Sequence, residues 1–95
     1  MAKAKTVHKV SEMFSPFVET LKQFLKEEDL DAKQLSLILK ERPTFVSEYT
    51  SYIKRDMLPP WYFLEVVADY FDAGIVYKNG YCYMARLPKG VSRYV

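Results

Sequence analysis

Polar and charged side chains between residues 42 and 55 are placed on one side of a predicted helix. With about 100° of rotation per residue, Val46, Tyr49 and Ile53 share the opposite, apolar side. Six residues lie at the helix start or on the outward face: Arg42, Thr44, Ser47, Glu48, Ser51 and Arg55. Hydroxyl groups can contact base edges or phosphates, glutamate can accept from a cytosine amino group, and arginine can pair with guanine or phosphate. The set suits contact with nucleic acid, and the alternative is that it only solvates an exposed helix.

The segment from Gln34 to Tyr49 has the small and apolar positions that a helix-turn-helix requires. Two short helices that cross steeply need apolar residues on both inward faces and a small residue at the crossing. Leu35 and Leu39 supply the first inward face, and Ser36 is small enough for the crossing. The outward face of the second helix would then enter the major groove of DNA.

From Gln34 onward the chain resembles the phage-repressor-like (Xre-type) helix-turn-helix family. Residues 46–49, Val-Ser-Glu-Tyr, stand where that family often has Ile-Ser-x-Trp. Residues 58–59, Leu-Pro, and residues 63–69, Phe-Leu-Glu-Val-Val-Ala-Asp, resemble its Leu-Pro followed by a helix ending in Leu-Ala-Asp-Ala-Leu. The resemblance covers about residues 18–74 and implies a sequence-specific regulator that binds double-stranded DNA as a homodimer.

Three features depart from the family pattern. Lys40 stands where a turn glycine is common, Pro43 is unusual at its position, and about three extra residues separate Tyr49 from Leu58. We expect Pro43 in the first turn of the second helix, where its missing N–H costs nothing.

The predicted fold class is mainly α, a small helix-turn-helix bundle with a C-terminal β-hairpin. A first helix is predicted to follow residue 9, with apolar residues at helical spacing from Met13 onward, and Ser15-Pro16 can restart or kink it. Further helices are predicted at about residues 32–40, 43–54 and 60–72, the first of them opened by a capping box of Asp31 and Gln34. We expect Gly74 to stop the last helix.

A hairpin is predicted over residues 75–86, because the apolar pattern changes there to period two around Asn79-Gly80. A two-residue turn pairs Lys78 with Tyr81 and sets the remaining register. One face is then expected to cover the helices: Ile75, Tyr77, Cys82 and Met84. Val76, Tyr81 and Tyr83 would lie on the other face and are predicted to form the dimer interface.

The predicted organisation is a basic flexible arm at residues 1–9, a helix-turn-helix domain at 10–74, the hairpin at 75–86 and a tail at 87–95. Of the 95 residues, 49% are hydrophobic, which suffices for one core, and the net charge of +2 permits a nucleic-acid partner without requiring one. Basic residues crowd both ends: Lys3, Lys5, His8, Lys9, Arg86, Lys89 and Arg93. They could follow phosphates, or they could simply solubilise the ends.

The residue types argue against several other classes of protein. With one cysteine and one histidine the chain lacks the ligands of a Cys/His zinc site, and no set of catalytic residues or phosphate-binding loop stands out. We therefore expect no enzymatic activity, no metal and no cofactor. The chain has no stretch typical of a membrane span or a signal peptide, so a cytoplasmic location and no membrane partner are expected.

Two functions from different classes remain open on the sequence. The first is a small sequence-specific DNA-binding transcriptional regulator. The second is a protein-interaction module that binds and modulates a cellular protein, which the weak net charge and Glu48 on the predicted outward face favour. Salt dependence separates them, since phosphate contacts make affinity fall steeply with salt.

Overall fold

The computed structural model describes residues 9–86, within which five helices precede a two-stranded antiparallel sheet. The helices are α1 (Val10–Met13), α2 (Ser15–Glu27), α3 (Ala32–Ile38), α4 (Phe45–Lys54) and α5 (Trp61–Tyr70). The strands are β1 (Ala73–Lys78) and β2 (Tyr81–Arg86). A mainly α domain with a C-terminal hairpin is therefore confirmed. The predicted arm, apart from Lys9, and the predicted tail at 87–95 lie outside the described residues.

The first helical segment is interrupted at Phe14, as the Ser15-Pro16 pair suggested. Phe14 lies between α1 and α2, and Pro16 falls in the first turn of α2, where a residue without an N–H is tolerated. The Ser15 hydroxyl donates to the Glu12 carbonyl at 3.1 Å. The proline thus lies where the helix restarts after Phe14.

Four helices end at a residue with positive φ that is not glycine. These residues are Asp29, Lys40, Asp56 and Asp72, with φ of 57°, 63°, 60° and 55°. Short polar side chains such as Asp tolerate the left-handed conformation better than most, and it closes the last turn of a helix. The expectation that Gly74 stops the last helix is wrong: α5 ends at Tyr70, and Gly74 lies inside β1.

The hairpin has the register that its turn chemistry predicts. Lys78 pairs with Tyr81, and Asn79 and Gly80 take φ of 54° and 83°, as a type I′ turn requires. The strand begins earlier than predicted, since β1 starts at Ala73. Residues 73 and 74, assigned to the helical domain, therefore belong to the hairpin.

The core lies where α2 and α5 meet the inner face of the hairpin, with β2 packed against α2 and β1 against α5, and buried residues of α4 extend it. Aromatic rings join these layers: Phe17 and Phe63 lie 6.2 Å apart, and Phe24 and Phe71 lie 5.1 Å apart between centroids. Cys82 and Met84 are buried as predicted, and Ile75 packs against the core. Tyr77 departs from the prediction, because 52% of it stays exposed while its ring stacks on Trp61.

Candidate nucleic-acid interface

One buried hydroxyl group joins α3 to α4. Ser36 has no exposed surface; its Oγ donates to the Ala32 carbonyl at 2.8 Å and accepts the Val46 N–H at 3.0 Å. Val46 is the second residue of α4, where an N–H has no acceptor within its own helix. Thr44, the residue before α4, makes no side-chain cap. Ser36 therefore caps α4 from the neighbouring helix and fixes where α4 starts against α3.

The connection between the two helices is tight and fully hydrogen-bonded at its start. The Lys40 N–H donates to the Leu37 carbonyl at 2.9 Å, and the Glu41 N–H donates to the Ser36 carbonyl at 3.0 Å. These two bonds form a Schellman motif, in which a left-handed residue ends the helix. Lys40 supplies that conformation with φ of 63°, so the absence of a glycine there does not open the turn.

Pro43 lies before α4 and not inside it. The Phe45 N–H donates to the Arg42 carbonyl at 3.0 Å, which makes residues 42–45 a β-turn with Pro43 as its second residue. Proline favours this position because its ring presets φ. The prediction that Pro43 opens the helix is therefore off by one short turn, and α4 begins at Phe45.

The inner face of α4 is the apolar one that the sequence predicts. Val46 and Ile53 are 1% and 2% exposed, and Phe45 at the start of the helix is also buried. Tyr49 is half-buried, with its ring 5.3 Å from that of Phe63 in α5. Burial of this face leaves the opposite side of the helix to solvent.

The predicted site residues do lie on that outward side, with different degrees of exposure. Thr44, Ser47 and Arg55 are exposed, whereas Ser51 is partly buried. Two of their side chains bond to the helix backbone: the Ser47 hydroxyl donates to the Thr44 carbonyl at 3.1 Å, and Arg55 Nε donates to the Ser51 carbonyl at 3.4 Å. These polar groups are accessible and only locally engaged.

Arg42 and Glu48 form an ion pair across the start of α4. Arg42 Nε lies 3.1 and 3.2 Å from the two Glu48 carboxylate oxygens, a second guanidinium nitrogen bonds to Oε1, and the Thr44 hydroxyl donates to Oε2 at 2.6 Å. These hydrogen bonds lower the pKa of Glu48 to about 2 and raise the pKa of Arg42. Glu48 is therefore charged at neutral pH, and its negative charge offsets the positive charge of Arg42. From the sequence, Arg42 was predicted to pair with guanine or phosphate, but in this structure its partner is Glu48.

Two aromatic rings pack against the guanidinium group of Arg42. Its central carbon lies 5.9 Å from the Phe45 ring centroid and 5.7 Å from that of Tyr49, within cation–π range. Because the two side chains of the pair remain 48% and 41% exposed, solvent screens the pair. A competing anion could therefore reach the guanidinium from solvent without any change in the core.

Charges at the two ends of α4 are mixed. Lys40 precedes the helix, and Lys54 and Arg55 end it, all exposed. The nearby carboxylates are engaged: Glu41 accepts from the Tyr62 hydroxyl, and Asp56 accepts the Ser11 N–H at 2.9 Å. The cations at both ends are thus exposed to solvent.

The predicted dimer surface is on the outer face of the hairpin. Val76 is 48% and Tyr83 is 39% exposed, and the Tyr81 and Tyr83 rings lie 6.4 Å apart. Tyr81 is partly buried. The hairpin packs on the helices through Cys82 and Met84, and on its outer face Val76 and Tyr83 remain exposed within residues 9–86.

Sequence reasoning missed the aromatic surface at the start of α5. Trp61 and Tyr62 are 48% and 52% exposed, although neither was predicted as part of a binding surface. The only available signal was the pair of prolines before Trp61, which marks the start of α5.

Comparison with family models, with curated proteins and with solved structures finds no match for this chain. Within residues 9–86, no helix is long and apolar enough to cross a membrane. The same part of the chain contains no group of three or more His, Cys, Asp or Glu side chains able to hold a metal ion. The function is therefore inferred from the geometry of the chain itself.

Proposed function

We propose that this protein is a sequence-specific regulator of transcription that binds double-stranded DNA through α4, with α3 and α4 as the helix-turn-helix. The observation that carries the proposal is the Ser36 cap, which holds the start of α4 against α3 while the outward face of α4 stays accessible. A reading helix needs this combination, because its orientation in the groove has to be set by the scaffold.

The side chains of α4 have separate roles in this proposal. Thr44, Ser47 and Ser51 contact base edges, and the exposed cations Lys40 and Arg55 at the two ends contact phosphates. Glu48 accepts from a cytosine amino group while it continues to hold Arg42. The ion pair then orients the reading face and reduces nonspecific attraction to the DNA backbone.

Dimerisation through the outer face of the hairpin would complete the binding unit. One short helix contacts few base pairs, and paired helix-turn-helix units read half-sites about 34 Å apart on one side of the duplex. Val76, Tyr81 and Tyr83 provide a partly apolar, aromatic surface of the kind found at interfaces. We expect an operator with two-fold symmetry.

Selection from a pool of random duplexes, followed by fluorescence anisotropy, tests the proposal. A triple variant, Thr44→Ala with Ser47→Ala and Ser51→Ala, should bind the enriched site more weakly by about 1–3 kcal/mol for each true base contact. Thr50→Ala is the matched control. Its hydroxyl donates to the Ser47 carbonyl at 3.1 Å, the same kind of local bond, but it lies towards the inner side of the helix.

Two results would contradict DNA binding by α4. One is the absence of any enriched sequence at low salt. The other is a folded triple variant that binds the enriched duplex as tightly as the wild type and the Thr50→Ala control do.

A second candidate function is a protein-interaction module that binds and modulates a cellular protein. The specific observation in its favour is the Arg42–Glu48 pair, which offsets the positive charge of Arg42 at the start of α4. A salt series distinguishes the candidates, because each phosphate contact adds about 0.9 to the slope of log affinity against log salt. A nearly flat slope with a duplex favours the protein partner.

A further inference from the structure

A groove of about 530 Å³ lies between α5 and β1, on a different part of the surface from the outward side of α4. Its volume is in the range typical of ligand sites. Helix α5 forms one wall and the first half of β1 forms the other, with these lining residues: Trp61, Tyr62, Glu65, Val66, Ala68, Asp69, Ala73, Gly74 and Ile75. A helix and a strand thus border the groove, and a strand border suits an extended chain, which can add beside it.

The strand wall of this groove is an unpaired sheet edge. In a hairpin with a two-residue turn, the closing pair Lys78–Tyr81 is hydrogen-bonded, and hydrogen-bonded and non-hydrogen-bonded pairs alternate from there. The backbone groups of Val76 and Gly74 therefore face β2. Those of Ala73, Ile75 and Tyr77 face the opposite edge, and the first two of these residues line the groove.

No other described segment uses that edge. The sheet has two strands, and among residues 9–86 no backbone hydrogen bond joins Ile75 or Tyr77 to a segment outside the hairpin. Gly74 has no side chain beyond hydrogen, so a second backbone can approach β1 closely there. A strand edge with free donors and acceptors is a template for an added strand.

The helix wall indicates the charge of the occupant. Glu65 and Asp69 are the two charged residues of the lining, and both are acidic. The Trp61 ring stacks on Tyr77 with centroids 5.9 Å apart and planes 20° apart, and about half of each ring is exposed. The face of such a ring attracts a cation, and a neighbouring carboxylate strengthens the preference.

We propose that this groove binds an extended basic segment of a partner protein, which adds to β1 as a third strand and places a Lys or Arg side chain between Trp61 and Glu65. Main-chain bonds to Ala73, Ile75 and Tyr77 would supply affinity, and the acidic, aromatic wall would select the basic side chain. The proposal does not depend on DNA binding, because no residue of α4 lines the groove.

The test uses the fluorescence of Trp61, the one tryptophan of the chain, with a defined probe. The probe is an acetylated, amidated octapeptide of alternating valine and lysine, titrated into the full chain. We expect a saturable change in Trp61 emission with half-saturation below about 1 mM. The same peptide with glutamate in place of lysine should not bind in this range.

Two further comparisons separate strand addition from simple charge attraction. N-methylation of alternate peptide residues removes main-chain donors at unchanged charge, and it should weaken binding at least about tenfold when the methylated edge faces β1. Glu65→Lys should weaken binding about five- to tenfold. Glu19→Lys is the matched control, because Glu19 is an exposed helical glutamate on α2, away from the groove, and it should change affinity less than about twofold.

Three outcomes overturn the proposal. The first is no Trp61 response up to about 1 mM peptide. The second is that the glutamate peptide binds as tightly as the lysine peptide, or that the lysine peptide keeps its affinity whichever set of alternate residues is N-methylated. The third is a wild-type chain that occupies the groove with its own second copy, seen as Trp61 emission that depends on protein concentration and a Glu65-sensitive dimer in sedimentation.

Discussion

Removal of the Ser36 hydroxyl tests whether one side chain fixes the geometry of α3 and α4. In a Ser36→Ala variant the Val46 N–H, buried at the start of α4, loses its acceptor, and water cannot replace it at a side chain with no exposed surface. An unsatisfied buried donor costs about 1–3 kcal/mol. Alanine recovers about 0.5 kcal/mol through its higher helix propensity.

The expected net loss in the free energy of unfolding is therefore about 0.5–2.5 kcal/mol. For a domain of this size, each kcal/mol lowers the thermal midpoint by about 4–8 °C. Urea unfolding followed by circular dichroism gives the free energy directly, and calorimetry gives the midpoint. The m-value should stay unchanged, because the variant removes one bond and leaves the core intact.

Ser47→Ala is the matched control for this measurement. It makes the same substitution in a helix and also removes a hydroxyl that donates to a backbone carbonyl, but Ser47 is exposed. Its expected effect is within about 0.5 kcal/mol of zero. The reasoning is refuted if Ser36→Ala is no more destabilising than Ser47→Ala, because the buried bond would then contribute nothing to the position of α4.

Three other predictions concern titration and assembly. The hydrogen bonds from Arg42 depress the pKa of Glu48 from 4.5 to about 2. Their contribution to stability should therefore be present above pH 4.5 and lost as the pH falls towards 2. The Glu48→Gln variant should flatten this part of a plot of urea midpoint against pH, more clearly at low salt. Burial raises the pKa of the Cys82 thiol from 9 to about 11, so stability should fall as the pH rises from 9 through 11. A thiol reagent at pH 8 should modify the folded chain far more slowly than the unfolded chain. Sedimentation should show a dimer that a Tyr81→Ser, Tyr83→Ser variant loses, and a wild type that stays monomeric at high micromolar concentration contradicts the hairpin interface.

Local chemistry explains why much of the fold could be predicted. The Asp31 and Gln34 side chains form the expected capping box at 2.7 and 2.8 Å, and this needs only residues three apart. The hairpin register likewise follows from Asn79-Gly80 and period-two alternation. The inward position of Val46 and Ile53 follows from helical periodicity, which also placed Thr44 and Ser47 correctly on the outward face.

The wrong predictions arise where two conformations satisfy the same local rule. A glycine after an apolar helix favours a helix stop, yet Asp72 takes the left-handed conformation first and Gly74 continues into β1. Pro43 is compatible with both the first turn of a helix and the second position of a β-turn. Packing of α4 on α3 decides between these two positions of Pro43, and the periodicity of the sequence does not predict that packing.

The sequence by itself determined the helical segments, the turn of the hairpin and the side of α4 that faces solvent, because each depends on residues a few positions apart. Only the tertiary structure decided the partners of the side chains. Arg42 pairs with Glu48, Ser36 bonds to Val46, and the Trp61 ring stacks on Tyr77 sixteen positions later. These contacts depend on how helices and strands pack in space, and the hydrophobic burial that sets this packing is not directional. The residue types therefore indicate what a side chain can bind, while the packed fold determines which group lies within reach.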